Sequence, residues 1–560
     1  MLLLSWAAMA VTLAWASLAM SRFPIRPELL ELLAGLLAGA IAIIPYLYRP
    51  DKLEHAAALL RRTAVRRALW IPVFALLGPC IRLALLPLAP IPYPTVHDEF
   101  VHLLGADTLL HGRLANPPLP FSDSFETLYV IQRPTYSSSY PVGNAAFLAA
   151  GWKLTGEPWF GVWFSVVLCC GAVAWMQYRW LAPTAAWIGG LLCTLGLGIA
   201  SDWMNTYYGG AAAAAGGALV FGALRGLRQT AKPRDAAILA AGWTLVWFNR
   251  PYESVAVGII VAVAVLASLR RDRRLISATL LIGAVVVLDF AGLCYQNWRV
   301  TGDPLLDPYR LTQRLYGVPH GFLWQREIPE PAHLTPQQQR IYLYQRNHFR
   351  EARSLSHCWP LLGNELKKIW FFFVGYPLTI PFGIGLFARG KKAHSMRVIL
   401  AAAMAWSLLY PRLLPNYVSA LTCLFFGLSA YGLLVLWRWR PHGQAWGAVL
   451  ATGFLLGSAA TGARVLYPWF LHGASAPPTA RETVERKLEA IPGPQLVFVR
   501  YGPTHNVHDE WVYNGADPRS AKMVWANDLG EARDRELMEY FKGRRAWVAE
   551  PDRGLLRPYP

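Results

Sequence analysis

The stretch RRTAVRRALWIPVFALLGPCIRLALLPLAP, residues 61–90, decides the fold. Arg61, Arg62, Arg66 and Arg67 stand directly before an apolar run that opens at Trp70, and the run closes in a proline series, Pro87, Pro90, Pro92 and Pro94. Roughly 20 apolar residues are enough to cross the hydrocarbon of a bilayer. Arginines crowded at one end keep that end in the cytoplasm. The pairing recurs at Arg225, Arg228, Lys232 and Arg234, at Arg270, Arg271, Arg273 and Arg274, and at Arg389, Lys391 and Lys392.

Working outward, apolar segments fall at 3–21, 29–48, 70–90, 158–178, 184–200, 208–224, 236–249, 253–268, 275–294, 368–388, 396–411, 416–437 and 443–463. The basic loops 49–69 and 225–235 both belong inside, so an even number of crossings separates them. Four spans satisfy this, and the further apolar stretch 140–152 then reads as an interfacial or re-entrant helix. The expected fold is an α-helical polytopic membrane protein of about thirteen spans. Its N-terminus is cytoplasmic, with the first apolar segment a retained span rather than a cleaved leader. Residues 1–466 form the membrane domain, with large outside loops 91–157 and 295–367. Residues 467–560 read as a small extracytoplasmic α/β domain, with helices at 479–490 and 530–542 and strands at 495–499, 522–525 and 546–549.

Composition agrees. Of 560 residues 54% are hydrophobic and 16% charged, against about 25% charged in soluble domains. Much of the net charge of +19 sits in short loops beside spans, and no basic, aromatic-interleaved module offers a nucleic-acid surface. The seven cysteines make no CxxC or finger spacing. The Ala/Gly run 209–217 suits close helix packing.

Sidedness gathers the unusual polar residues on the outer face: His97, Asp98, Glu99 and His102; Asp202, Asn205 and Tyr208; Asn249, Arg250, Tyr252 and Glu253; Arg299, Asp303 and Asp307; Arg412 and Asn416. Ionisable groups at membrane depth are costly and point into cavities. Asp98 and His102 share a helix face at i, i+4. Asp98, with Glu99 beside it, can act as a general base or hold a divalent cation with His97 and His102. The alternative is a solvated helix start whose acids answer the helix dipole. Arg250 and Arg412 can clamp phosphate bidentately or snorkel to headgroups. The stretch 201–209 mixes polar groups with aromatics, as a sugar site does and as an interfacial belt does. In the tail, Arg500 to Trp511 contains a second His-Asp-Glu, His508-Asp509-Glu510, at the end of a strand. It reads as a chance match without a catalytic role, with a part in shaping an acceptor site as the alternative.

The Asp98-Glu99 pair early in the first large loop, the following Leu/Ala-rich helix, Gly112-Arg113-Leu114, and Tyr140-Pro141 opening a later helix resemble the GT-C superfamily of membrane glycosyltransferases. Protein O-mannosyltransferases, aminoarabinose transferases and allied uncharacterised bacterial proteins are nearest in style. The long later loop and the outer C-terminal domain agree; two additional N-terminal spans depart from the pattern. The resemblance implies a polyprenyl-phosphate sugar donor and inverting transfer to a glycan, lipid or protein acceptor outside the cytoplasm. The expected setting is the bacterial inner (plasma) membrane. Asp98 then corresponds to the essential acid. Arg250 and Arg412 are phosphate candidates by position and charge. Substrate-binding candidates are His102, Asp202, Asn205, Tyr208, Arg250, Tyr252, Glu253, Arg412 and Asn416. A transporter or flippase for a lipid-linked or polar solute is the competing reading. It calls for mid-helix charges and inverted repeats, and Asp289 is close to a helix end.

Overall fold

A computed structural model describes residues 32–41, 50–317, 322–472 and 478–560. The expected span at 3–21 lies outside the described residues, as does half of the one at 29–48. Among the described residues, six helices are long and apolar enough to cross a membrane: Arg67–Ala84, Trp159–Trp180, Pro251–Leu269, Leu275–Thr301, Ser419–Trp437 and Trp446–Phe470. Helices Cys358–Phe373 and Gly375–Phe387, bent by 97° at their junction, make a seventh when taken as one span. The chain is an integral membrane protein of mainly helical fold.

Among the described residues, length and composition alone identify six or seven of the about thirteen expected spans. Helices Pro183–Leu197, Ala211–Thr230, Pro233–Asn249 and Lys391–Ser407 occupy expected span positions. They are short or rich in small and basic residues. Ala211–Thr230 is buried along almost its whole length, so its surroundings are protein. Its Ala/Gly start explains this. A Cβ on Gly217 would stand 2.1 Å from the carbonyl oxygen of Ala420, and one on Gly216 would stand 2.6 Å from that of Gly242. Small residues let the backbones meet there, and dispersion over the contact replaces side-chain interdigitation. Residues 140–152 form part of helix Val142–Thr155, which starts after Pro141 and stops at Gly156 with φ 84°. It abuts Trp159–Trp180 through Gly151 and Gly161.

The end of Arg67–Ala84 is stapled by Arg82. Its guanidinium is 1% exposed and donates to Asn205 Oδ1 at 2.8 Å and to the carbonyls of Ala89 and Pro90 at 2.8 and 3.0 Å. Prolines deprive the following turn of N–H donors, and Arg82 satisfies its carbonyls instead. The chain then enters helix His97–Leu110.

Beyond this bundle, β1 (Val130–Ile131) pairs antiparallel with β2 (Ser137–Ser138). At the C-terminus β3 (Gln495–Val499), β4 (Met523–Asn527), β5 (Arg545–Glu550) and β6 (Leu555–Pro558) form one sheet in the order β4-β3-β5-β6. The β3 strand is parallel to β4 and β5, and β6 is antiparallel to β5. Helices Ala480–Glu489 and Glu531–Tyr540 accompany it. One apolar cluster joins this unit to the loop regions, with Phe100, Val101, Leu128, Tyr129, Tyr316, Ile341 and Tyr513 packed together. Arg481 lies between the Phe100 and Trp525 rings, at 4.4 and 4.7 Å from their centroids. Tyr513 stacks on Phe100 at 5.0 Å.

Replacing Gly217 by Ala forces apart backbones that cannot yield locally. The expected loss is about 1–3 kcal/mol, read as a lower melting midpoint in detergent. Gly462→Ala, with open space around its Cβ, leaves the midpoint unchanged. Equal melting of the two variants contradicts the packing described.

Candidate active site

Helix His97–Leu110 begins where the proline strap ends, and its first turn presents two carboxylates with opposite roles. Glu99 is 2% exposed and turns toward backbone. Its Oε2 accepts from the N–H groups of Thr95 and Val96 at 2.7 and 3.1 Å, and its Oε1 from that of Tyr207 at 3.1 Å. Helix starts leave such donors unsatisfied, and Glu99 answers two of them while tying the 202–207 segment to the helix. Burial raises its pKa, and the backbone donors oppose that rise. Expected beside Asp98 as a catalytic partner, Glu99 is occupied as an anchor.

Asp98 turns the other way. Its side chain keeps 34% of its exposure, so a ligand can reach it. Oδ1 faces His97 Nδ1 at 2.9 Å and accepts from the hydroxyl of Tyr140. Burial alone would raise its pKa, but His97, Tyr140 and the nearby His102 together hold the carboxyl well below the usual carboxylate range. A carboxylate fed by such donors remains charged away from bulk water. Asp98 and His102 do share a face, and Tyr140 joins them: its ring stacks on His102 at 4.9 Å. Burial, aided by Arg250, pushes the His102 pKa down to about 3, so its imidazole is neutral at physiological pH.

Around this carboxylate stands a wall of tyrosines. Tyr129 lies 5.6 Å from Tyr140 and 6.3 Å from Tyr309, and all three rings stack. Arg250 closes one side with its guanidinium 5.5 Å from the Tyr417 ring. Asp98 and Arg250 both act electrostatically on His102, and Asp98, Arg250 and Arg412 all act on Tyr417. Arg412 packs 5.8 Å from the Tyr344 ring. Its segment is pinned by Glu365, which accepts from the Leu413 N–H at 2.8 Å and pairs with Lys368 at 2.6 Å. Among the described residues neither Arg250 nor Arg412 pairs with a carboxylate. Two guanidiniums with no carboxylate in ion-pair contact, near a charged Asp98, suit an anionic ligand bound next to a base.

The other sequence candidates divide. Tyr208 lies within electrostatic reach of Asp98, Glu99 and Asp202, and Asp202 is exposed. Asn205 is engaged by Arg82 and by the carbonyls of Ile199 and Ser201. Tyr252 donates to the Trp406 carbonyl at 2.6 Å and stacks on that ring. Glu253 is buried and accepts from Ala420 N–H at 2.6 Å and Ser419 Oγ at 3.0 Å, fixing the break before the last buried span. Asn416 is buried in the turn Pro415–Tyr417. These side chains build the chamber's frame.

The expected metal triad is not assembled. Among the described residues no three His, Cys, Asp or Glu side chains are grouped to hold a metal ion. His97 spends its two nitrogens on Asp98 and on His508 Nδ1, the latter at 3.2 Å, and His102 stacks on Tyr140 instead of converging with them. Sequence reading missed Tyr129, Tyr309 and Tyr417 as members of this cluster and linked His508 only to an acceptor site. Tyr140 carried a signal through its place before Pro141.

No family model matches the sequence, and no curated protein matches it. Solved structures do resemble the fold. The apo ArnT from Cupriavidus metallidurans is 12% identical over 85% of this chain and 93% of its own, with a TM-score of 0.48. ArnT bound to undecaprenyl phosphate matches over 86% and 93%, with a TM-score of 0.46. The Archaeoglobus fulgidus oligosaccharyltransferase in complex with Zn and sulfate is 12% identical over 76% of this chain, with a TM-score of 0.46; the match spans 55% of the archaeal protein. At these identities and scores the likeness concerns general helix arrangement, and residue roles rest on the geometry of this chain.

Glu99→Gln puts an amide N–H against backbone N–H groups. The expected cost is about 1–3 kcal/mol, seen as a lowered melting midpoint, whereas exposed Glu157→Gln changes nothing. Unaltered melting of the Glu99 variant would show that the carboxylate is no anchor.

Proposed function

We propose that this protein is a membrane glycosyltransferase that moves a sugar from a polyprenyl-phosphate donor to an acceptor on the non-cytoplasmic face. The observation that carries the reading is the recessed but reachable Asp98 carboxylate in one chamber with the unpaired Arg250 guanidinium. Asp98 takes the proton of the acceptor hydroxyl or amine as the acceptor atom bonds to the sugar's anomeric carbon. The bond from that carbon to the phosphate oxygen breaks, and its electron pair leaves with the lipid phosphate. A phosphate leaves as an anion, so it needs a positive charge more than a proton. Arg250 supplies that charge, with Arg412 as a second clamp. With Glu99 turned to backbone, Asp98 is left as the carboxylate facing the chamber, which favours one direct displacement and hence inversion. The tyrosine wall offers ring faces to the sugar. The acceptor is a glycan, lipid or protein, and the setting we favour is the bacterial inner membrane with the N-terminus in the cytoplasm.

Purified protein in lipid nanodiscs, supplied with polyprenyl-phosphate-linked sugar and extracytoplasmic membrane extract as acceptor source, is expected to release polyprenyl phosphate. Asp98→Asn should slow this by about 10²–10⁴-fold, the range of general-base catalysis, without changing the melting midpoint. Full activity of that variant defeats the assignment. Sidedness is tested separately. Single cysteines at the exposed positions Asp303 and Glu531 should label from outside intact cells, and one at Arg271 only after lysis. Labelling of positions 303 and 271 from the same side would remove the basis of the orientation.

A further inference from the structure

The loop between β3 and β4 brings the C-terminal domain to the residues around the carboxylate. His505 is 4% exposed, with Nδ1 2.9 Å from Asp552 Oδ1 and Nε2 2.7 Å from the Asp509 carbonyl. Arg340 donates to the His505 carbonyl at 2.7 Å, and the Tyr501 hydroxyl accepts from Trp511 N–H at 2.8 Å. On this scaffold His508 meets His97, Nδ1 to Nε2 at 3.2 Å, with ring centroids 5.4 Å apart.

Proton bookkeeping then fixes the pair. An ionised carboxylate only accepts, so His97 Nδ1 carries the proton it offers to Asp98. A neutral His97 therefore has a bare lone pair on Nε2. The facing His508 Nδ1 must supply the proton for that contact, which leaves the His508 Nε2 as an acceptor. The groups facing His508 are His97, Asp98 and Arg412; those facing His97 are Asp98, His508 and the Tyr129 ring at 5.2 Å. Burial and the Arg412 charge lower the His508 pKa against the opposing pull of Asp98, which favours the neutral ring.

We propose that His508 of the C-terminal domain is a positioning residue of the active site, whose Nδ1–H caps His97 Nε2 and so holds His97 as a neutral, Nδ1-protonated donor to Asp98. The proposal rests on the reading of Asp98 as the base. Without the cap, His97 Nε2 is free to take a second proton. The resulting imidazolium would pair with Asp98 and weaken it as a base. The domain is thus part of the catalytic apparatus: the site is incomplete until the β3–β4 loop is docked.

The test reads the imidazole directly and needs no substrate. Full-length protein carrying ¹⁵N-labelled histidine is reconstituted in lipid, and the His97 signals are identified by their loss in His97→Gln. In the wild type at pH 7, His97 is expected to carry its proton on Nδ1 with Nε2 bare. In His508→Leu, the doubly protonated ring should appear and its titration midpoint should rise. His508→Gln, whose amide can donate in place of the ring, should restore the wild-type state. A wild-type His97 protonated on Nε2, or an identical His97 in all three proteins, overturns the proposal. In the release assay, His508→Leu should lower kcat by about 10–100-fold, the range seen when a second group orienting a functional His is lost, with an unchanged KM for the donor. Full activity of Asp98→Asn would overturn the reading of the base independently of what His97 shows.

Discussion

A charged carboxylate held away from bulk water is the constraint around which this structure is organised. Solvation lost on burial must be returned by donors, or the group takes a proton instead. Asp98 recovers it from His97 and Tyr140. Those two donors come from different parts of the chain, and each is itself fixed by others. His97 is backed by His508, and Tyr140 stands among Tyr129, Tyr309 and His102. The helix that carries Asp98 is held by Glu99 on backbone N–H groups at both ends of its reach. Two adjacent acids thus divide the work: one is satisfied by the fold, and the other is left facing the chamber.

The scaffold that makes this division possible is built from features with low individual cost. Prolines 87–94 stop the preceding helix, and Arg82 satisfies the stranded carbonyls. Asn205 then links Arg82 to the 202–207 turn, and that turn offers the Tyr207 N–H to Glu99. Glu365 and Glu253 perform the same office for the segment that follows Arg412, accepting the backbone N–H groups of Leu413 and Ala420. Three buried acids, Glu99, Glu253 and Glu365, thus cap breaks between helices, because a break in a membrane-embedded bundle exposes donors that no water reaches.

This explains how far the sequence could be read. The apolar runs, the basic clusters beside them and the placing of polar residues at particular turns are local properties, and the helices form where those patterns fall. The α/β character of the tail was legible for the same reason: β3, β4 and β5 are short apolar runs between polar loops. The edge strand β6, at Leu555–Pro558, mixes Arg and Pro and carries no such pattern. Within the site, i, i+4 spacing correctly joined Asp98 to His102. The opposite facing of Asp98 and Glu99 follows from the rotation of about 100° between neighbours on a helix, but which of the two meets the chamber depends on the Tyr207 backbone, more than a hundred residues away. Glu253 looked functional because an acid at a membrane turn is costly; its compensation, the Ala420 N–H, is equally remote. Helices lined with Ala and Gly, such as Ala211–Thr230, do not stand out by length and hydropathy, since their neighbours are protein rather than lipid.

The contact between His97 and His508 is the extreme case of such remoteness, and it changes what the C-terminal domain is for. A domain attached only for acceptor recognition could be docked loosely, since recognition tolerates motion until the acceptor arrives. This one is docked through buried Phe100, Tyr513 and Arg481 and through Asp107, which accepts from the Ala516 N–H at 2.6 Å. All four anchors act on helix His97–Leu110 itself: Phe100 and Asp107 belong to it, and Tyr513 and Arg481 pack on its Phe100. The domain is thereby registered to the element that bears Asp98. A hydrogen bond between two imidazoles weakens steeply with small changes in distance and angle, so rigid registration at this helix is what a cap on His97 requires.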